Sequence, residues 1–352
     1  MKTARAEEQN PFSALLSDVE RDVTARLRRS LAESQRQASR RGPEVRALVQ
    51  AVSDLTLRGG KRLRATLCMV GGLAASARAP QDALLQAGVA LELLQSYFLI
   101  HDDWMDGDAL RRGGPTAHVS LAKRLGSSFL GDRAGVLAGD HAVALAQLEL
   151  GRVTAPPARR AAVLQRFAEM QLDAVAGQQR DLVSRSGNVE LTYFLKTASY
   201  TVTGPLLLGA ELTGARPKTL DALSAFAAPA GIAFQLRDDL IGAFGDPRTT
   251  GKPRGADLLA GKSTPLLRHG RRLLTGAQRR KLDAIVGRGQ APAAEVEAVL
   301  DLLEHSGAKT LIERRIARLR SQAEQELRTS ALTSRGRELL AGALDRMLVR
   351  HA

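Results

Sequence analysis

The chain carries the same apolar period from end to end. Residues such as Leu, Ala and Val recur at i, i+3, i+4 and i+7 in nearly every window of its 352 residues, the stripe by which an α-helix buries one face. Glycine and proline interrupt it at GG (59–60), RAP (78–80), RRGGP (111–115), TAPP (154–157), SRSG (184–187), GARP (214–217), GDPRTTGKPRG (245–255) and RGQAP (288–292). These breaks predict about a dozen helices joined by short loops. No alternating apolar/polar run is long enough to predict a strand. Aromatics make up only 3% of the chain, so Ala and Leu must fill the core, which favours packed helices over a β-sandwich. The expectation is an all-α protein, one large domain over residues 1–352 with about the first dozen residues frayed.

Two segments break the usual rule that apolar runs exclude charge. Residues 81–109 read as one long helix, apolar early and acidic late, ending HDDWMDGD; residues 217–245 repeat the pattern and end FQLRDDLIGAFG. At about 100° per residue, Asp102 and Asp106 share a helix face with Phe98 and Gln95, Asp103 lies to one side, and Trp104 falls roughly opposite, where packing is expected. Carboxylates this close repel one another unless a cation sits among them. Oxygen-only ligands suit a hard ion such as Mg²⁺, which takes one or two carboxylates and fills its shell with water and phosphate oxygens. His101 abuts the acids but lies off their stripe, and is expected to be a satisfied buried histidine.

Basic residues surround these acids in the sequence. Arg111 and Arg112 follow the first cluster; Lys61, Arg62 and Arg64 follow paired glycines at a helix start; Lys196, Lys252 and Lys262 come later. Arginine forks and helix N-termini both suit phosphate, so carboxylates holding Mg²⁺ among Lys and Arg make a diphosphate site. The excess of 51 Lys and Arg over 37 Asp and Glu is a general attraction for anions. Most of it lies on polar helix faces such as residues 21–41 and 314–328, which read as solvated surface. No aromatic-laced basic stripe points to a nucleic acid. The single cysteine, Cys68 in RATLCMVGGLA, excludes an internal disulfide and is expected to be a buried, inert thiol. No signal-type segment or uninterrupted run of about 20 apolar residues stands out, so the expectation is no transmembrane segment and a cytoplasmic protein.

In order along the chain, GGKRLR (59–64), DDWMD and ALRRGGPT (102–116), GDHAVALA (139–146), LKTAS (195–199), FQLRDDLIGAFGD (234–246) and GKPRGADLLAGKST (251–264) resemble the motifs of the trans-isoprenyl diphosphate synthases, or polyprenyl synthetases. The likeness runs from about residue 55 to 270 and more loosely beyond. It implies a single helical bundle around a deep central cavity, usually a homodimer, that condenses isopentenyl diphosphate with an allylic diphosphate. It also implies three Mg²⁺ ions, with Mn²⁺ as an alternative ion, held by Asp102, Asp106 and Asp238 with Asp103 and Asp239 in support. By the same resemblance Arg111, Lys196, Lys262 and Lys252 contact the allylic diphosphate. Lys61, Arg64, Gln95 and Arg112 match the isopentenyl diphosphate pocket, and Thr197 and Gln235 turn oxygens toward the allylic cation. Tyr97 and Phe98, five and four residues before Asp102, lie about 6–7.5 Å down the helix. Aromatics at both positions imply a cavity floor that stops growth at farnesyl diphosphate, with geranylgeranyl diphosphate the alternative and geranyl diphosphate third.

The sequence departs from the pattern at Gly242, where many relatives carry a third Asp, leaving Asp246 or Asp257 to compensate through water, and at Ala65, where proline is common. Two other readings remain: a class I terpene cyclase, which also ionises a prenyl diphosphate but has no need of GGKRLR and RRG, and a non-catalytic partner subunit, which the intact first acidic motif disfavours.

Overall fold

The computed structural model describes residues 10–183, 187–250, 253–328 and 331–348, side chains of 249–250 excepted. The chain is all-α, and its described residues fall into two compact units. The first comprises Met1–Arg166, Pro205–Pro217 and Thr333–Leu339; the second comprises Phe167–Gly204, Lys218–Leu332 and Leu340–Ala352.

The first unit opens with α1 (Pro11–Ser39), α2 (Pro43–Leu57), α3 (Leu63–Ala75) and α4 (Gln81–Asp106). Asn10 caps α1 by accepting from the Phe12 N–H, Pro11 occupies the first turn, and Phe12 is fully buried. Helix α1 is thus capped at Asn10, inside the dozen residues expected to fray. Helix α4 carries the first acidic cluster. Its middle, from Ala87 to Ser96, is buried on all sides, as a continuous apolar run requires. It stops three residues earlier than its sequence suggests, because Gly107 turns left-handed (φ 68°) and its N–H bonds back to the Asp103 and Trp104 carbonyls. Glycine enters that region without penalty. The chain then makes a hairpin of two two-residue strands, β1 (Leu110–Arg111) and β2 (Gly114–Pro115), pairing Leu110 with Pro115 and Arg111 with Gly114. A ladder of two residues a side is too short to leave an alternating pattern in the sequence.

Helices α5 (Ala117–Leu125) and α6 (Ser128–Gly151) follow, and α6 packs along α4 more extensively than on any other helix of this unit. A buried polar knot fastens α6. Glu149 accepts from Ser30 and Gln86, each at 2.6 Å, and from Arg152 at 2.5 Å, which satisfies a charge that would otherwise be expensive to bury. Helix α7 (Pro157–Val183) begins in this unit and ends in the second. Cys68 is fully buried, and burial pushes its thiol far up, as expected of an inert group.

The second unit holds α8 (Val189–Tyr193), a ten-residue π-helix (Phe194–Thr203) and α10 (Pro217–Phe244), with α9 (Gly204–Thr213) between them in sequence. The short α11 (Pro247–Thr250) and α12 (Ala256–Leu259) follow, then α13 (Pro265–Leu273), α14 (Gly276–Ile285), α15 (Ala293–His305) and α16 (Ala308–Glu326), while α17 (Ser334–Leu348) begins in the first unit and ends in the second. Among the described residues the helices outnumber the expected dozen, and three of them have only four or five residues.

By length and hydropathy alone, α4 and α10 could cross a membrane, with mean hydropathies of 1.5 and 1.2 in their best windows. The sequence expectation counted uninterrupted apolar residues and so passed over both. Of the α4 window 72% is buried within the protein, the pattern of a core helix, and of the α10 window 44%.

Candidate active site

In the first unit the final turns of α4, the hairpin and the loop before α3 bring cations and carboxylates together. Asp102 is half-buried and Asp106 exposed, whereas Asp103 between them is fully buried. Arg111 reaches back from the hairpin and donates to Asp103 Oδ1 through Nε at 2.6 Å and through Nη2, and to Asp108 at 3.2 Å. Burial pushes the Asp103 carboxyl up to about 6 against the pull of Arg111, with Asp108 and Asp102 adding to the rise. Its Oδ2 is buried with no hydrogen-bond partner. Trp104, expected to pack, is instead 40% exposed, because the last turn of α4 projects past its neighbours. His101 is half-buried, with Nε2 3.1 Å from the Val136 carbonyl and its ring edge-on to Tyr97 at 4.8 Å. Tyr97 and Phe98 are half-buried, their ring centroids 4.9 Å apart.

Of the GGKRLR cations, Lys61 is exposed and Arg64 half-buried. Arg62, considered above as a phosphate group, is committed elsewhere. It takes a left-handed backbone (φ 47°) and is buried, pairing with Glu92 at 3.3 Å and donating to the Thr56 carbonyl at 2.9 Å. Arg112 is left-handed too (φ 52°) and donates to the Gly59 carbonyl at 2.5 Å. Burial lowers its pKa, and Arg62, Arg64 and Arg111 lower it further, opposed by Glu92. Gln95, on the same helix face as Asp102, is buried, and its Oε1 has no hydrogen-bond partner.

In the second unit Lys196 and Thr197 lie on the π-helix, a wide-turned element that recurs at functional sites and that the LKTAS motif did not reveal. A Cβ on Gly177 of α7 would collide with the Lys196 backbone, so the two elements pack main chain to main chain. Lys196 Nζ lies 2.6 Å from Asp181. On α10, Asp238 is exposed and Asp239 buried. Gln235 Nε2 donates to Asp239 Oδ1 at 3.0 Å, and the buried Tyr193 hydroxyl donates to Oδ2. Burial pushes Asp239 up to about 7, opposed by those two bonds and reinforced by Asp257 and Asp238. Tyr193 carried no expected role, although it stands three residues before Lys196 in the same motif. Each acidic pair thus divides in the same way: the first Asp reaches solvent, and the second is buried and held.

The departure at Gly242 has a structural counterpart. A Cβ there would run into the Asp257 carboxylate, and Asp257 pairs with Lys262 at 3.1 Å. Asp246, the other compensating residue considered, is taken by Arg248 at 2.6 Å. We therefore expect Gly242→Asp, which restores the commoner residue, to lower kcat by about tenfold rather than raise it, since two carboxylates would compete for one space. Steady-state kinetics checks this, and an unchanged or higher kcat would contradict it. Lys252 lies outside the described residues.

The donor set fits Mg²⁺: carboxylates only, with a buried carboxylate oxygen, Asp103 Oδ2, lacking a partner. Among the described residues no three acidic, His or Cys side chains form a cage by themselves, which leaves much of any Mg²⁺ shell to water and phosphate oxygens.

Residues 45–303 match the polyprenyl synthetase family. A geranylfarnesyl diphosphate synthase from Aeropyrum pernix is 33% identical over 309 residues, covering 83% of this chain and 91% of that protein. A (2E,6E)-farnesyl diphosphate synthase from Mycobacterium tuberculosis is 34% identical over 71% of this chain and 68% of that one. The crystal structure of geranylgeranyl pyrophosphate synthase from Corynebacterium glutamicum, complexed with isoprenyl diphosphate and magnesium, superposes with a TM-score of 0.89 at 30% identity, covering 96% of this chain and 99% of that one. The matched residues run through both compact units and take in both acidic motifs, and on that basis the chain belongs to the polyprenyl synthetase family of prenyltransferases.

Proposed function

We propose that this chain is a short-chain trans-prenyl diphosphate synthase that condenses isopentenyl diphosphate with dimethylallyl or geranyl diphosphate, and that its product is farnesyl diphosphate. The observation that carries the reading is that the hairpin sets Arg111 on Asp103, beside Asp102 and Asp106, and Arg112 on the Gly59 carbonyl, where the GGKRLR loop with Lys61 and Arg64 begins. Cations set beside carboxylates that suit Mg²⁺ make a site for a diphosphate. Geranylgeranyl diphosphate is the alternative product. A homodimer in the cytoplasm belongs to the same reading.

Ionisation of the allylic C–O bond releases diphosphate, a leaving group that accumulates negative charge as the bond breaks. Asp102, Asp106 and Asp238 would hold Mg²⁺, up to three ions, which would supply positive charge to neutralise the departing diphosphate. Lys196, Lys262, Lys252 and Arg111 supply fixed positive charge for the same oxygens, and such stabilisation acts on the transition state rather than the ground state. The buried Asp103 holds Arg111 in place, and the Gln235 amide nitrogen is spent on Asp239, leaving its Oε1, with Thr197, for the developing allylic cation. Lys61, Arg64, Arg112 and Gln95 bind isopentenyl diphosphate. An apolar enclosure keeps water from the cation. The double bond of isopentenyl diphosphate attacks, and the proton lost in forming the new double bond passes to the departing diphosphate.

The test is to incubate the purified protein with Mg²⁺, isopentenyl diphosphate and each allylic primer in turn, and to separate the products by chain length. Fifteen-carbon product supports the reading; a cyclised hydrocarbon from a lone prenyl diphosphate, with no elongation, overturns it. Tyr97→Ala with Phe98→Ala is expected to shift the product toward twenty carbons or more by opening about 200 Å³ beneath Asp102. An unchanged product would remove the aromatic floor.

A further inference from the structure

We propose that Arg58 is a positioning residue that fastens the 110–115 hairpin to the loop before α3, so that Arg111 and Arg112 are already in place when isopentenyl diphosphate arrives; the proposal rests on the function just given. Arg58 follows the last residue of α2, and its backbone N–H closes on the Asp54 carbonyl at 3.1 Å, so its main chain is anchored to a helix. Its Nη1 donates to two carbonyls of the hairpin, Arg111 O at 3.1 Å and Pro115 O at 2.8 Å. These bracket Arg112, Gly113 and Gly114. The guanidinium also lies against the hairpin backbone: a Cβ on Gly114 would come within 2.5 Å of Arg58 Cζ. A strap runs the other way as well, since Arg112 donates to Gly59 O at 2.5 Å, and its guanidinium would stand 3.0 Å from a Cβ on Gly60.

Two arginines thus cross between the same two segments, each donating to main-chain carbonyls of the segment opposite. The need for such a clasp follows from charge. Arg62, Arg64 and Arg111 each disfavour the charge on Arg112, although Glu92 pairs with Arg62 and Asp103 with Arg111, and the strained left-handed backbone at Arg112 persists only where its surroundings hold it. Arg58 Nη1 is committed to carbonyls, so Arg58 acts through the hairpin and not on substrate. A loose hairpin would have to be reassembled around each diphosphate, and that reassembly weakens binding.

The experiment measures isopentenyl diphosphate binding by calorimetry, together with KM for both substrates and kcat, in the full chain. Arg58→Ala is expected to raise Kd and KM for isopentenyl diphosphate by about tenfold or more, with kcat at saturation within about threefold of wild type and a smaller change for the allylic substrate. Arg58→Lys, which keeps one donor, is expected to lie between. Gly114→Ala drives a methyl group into the guanidinium and is expected to match Arg58→Ala, while the double variant is no worse than either, because the clash disappears with the side chain. Unchanged Kd in Arg58→Ala overturns the proposal, as does a loss of thermal stability and kcat with KM untouched, or multiplicative effects in the double variant. If the wild type binds isopentenyl diphosphate but elongates nothing, the function above fails, and the Arg58 comparison still decides by binding alone. If the wild type does not bind it, both fail.

Discussion

Asp102→Asn is expected to lower kcat/KM for the allylic substrate by about 10²–10³-fold, and Asp238→Asn to do the same, with helix content and thermal stability held close to wild type. The magnitude is that of deleting one preorganised group aimed at charge developing in the transition state. Both side chains reach solvent, so replacing a carboxylate by its isosteric amide removes charge without opening a cavity. On the proposed function the pair serves one leaving group, so the double variant should fall well short of the product of the single effects. Asp103→Asn is expected to behave differently. It leaves Arg111 with a weaker acceptor at a buried position, so thermal stability should drop along with activity. Steady-state kinetics and thermal melts on the four proteins separate these outcomes, and full activity in either Asp102→Asn or Asp238→Asn would contradict the assignment.

Gly177→Ala is expected to cost about 10–10²-fold in kcat although residue 177 has no side chain to offer a substrate. A methyl group there meets the backbone of Lys196, and the π-helix must move to admit it. Misplacing a charge-stabilising group by about 1 Å is enough for a loss of this size. The far-UV circular dichroism should stay near wild type, since one turn shifts while the helices persist. Kinetics with unaltered kcat would show that Lys196 is not held by this contact.

Much of this was legible before any coordinates. Helices α4 and α10 were visible because buried helices write continuous apolar runs ending in acids, and the spacing of Asp102 and Asp106 set them on one face. What escaped the sequence was tertiary. Asp102 and Asp103 are the same residue type side by side, and only the neighbours of α4 decide that one reaches water and the other is buried against Arg111. The π-helix around Lys196 answers to Gly177, far away in the chain. Arg62 and Arg64 look equivalent in GGKRLR, yet a buried partner, Glu92, claims the first. Trp104 followed the helical wheel correctly in direction, but that direction opens to solvent. The missing acid at Gly242 looked like a loss until Asp257 was seen to claim its space.

The central claim is that two acidic motifs distant in sequence serve one magnesium-bound diphosphate. Its most direct test is calorimetric titration with an allylic diphosphate whose bridging oxygen is replaced by sulfur, so that it binds without ionising, in the presence and absence of Mg²⁺. We expect one Mg²⁺-dependent binding event per chain in the wild type, weakened about 100-fold or more in both Asp102→Asn and Asp238→Asn. Wild-type affinity in either variant, or binding that ignores Mg²⁺ altogether, would contradict the account.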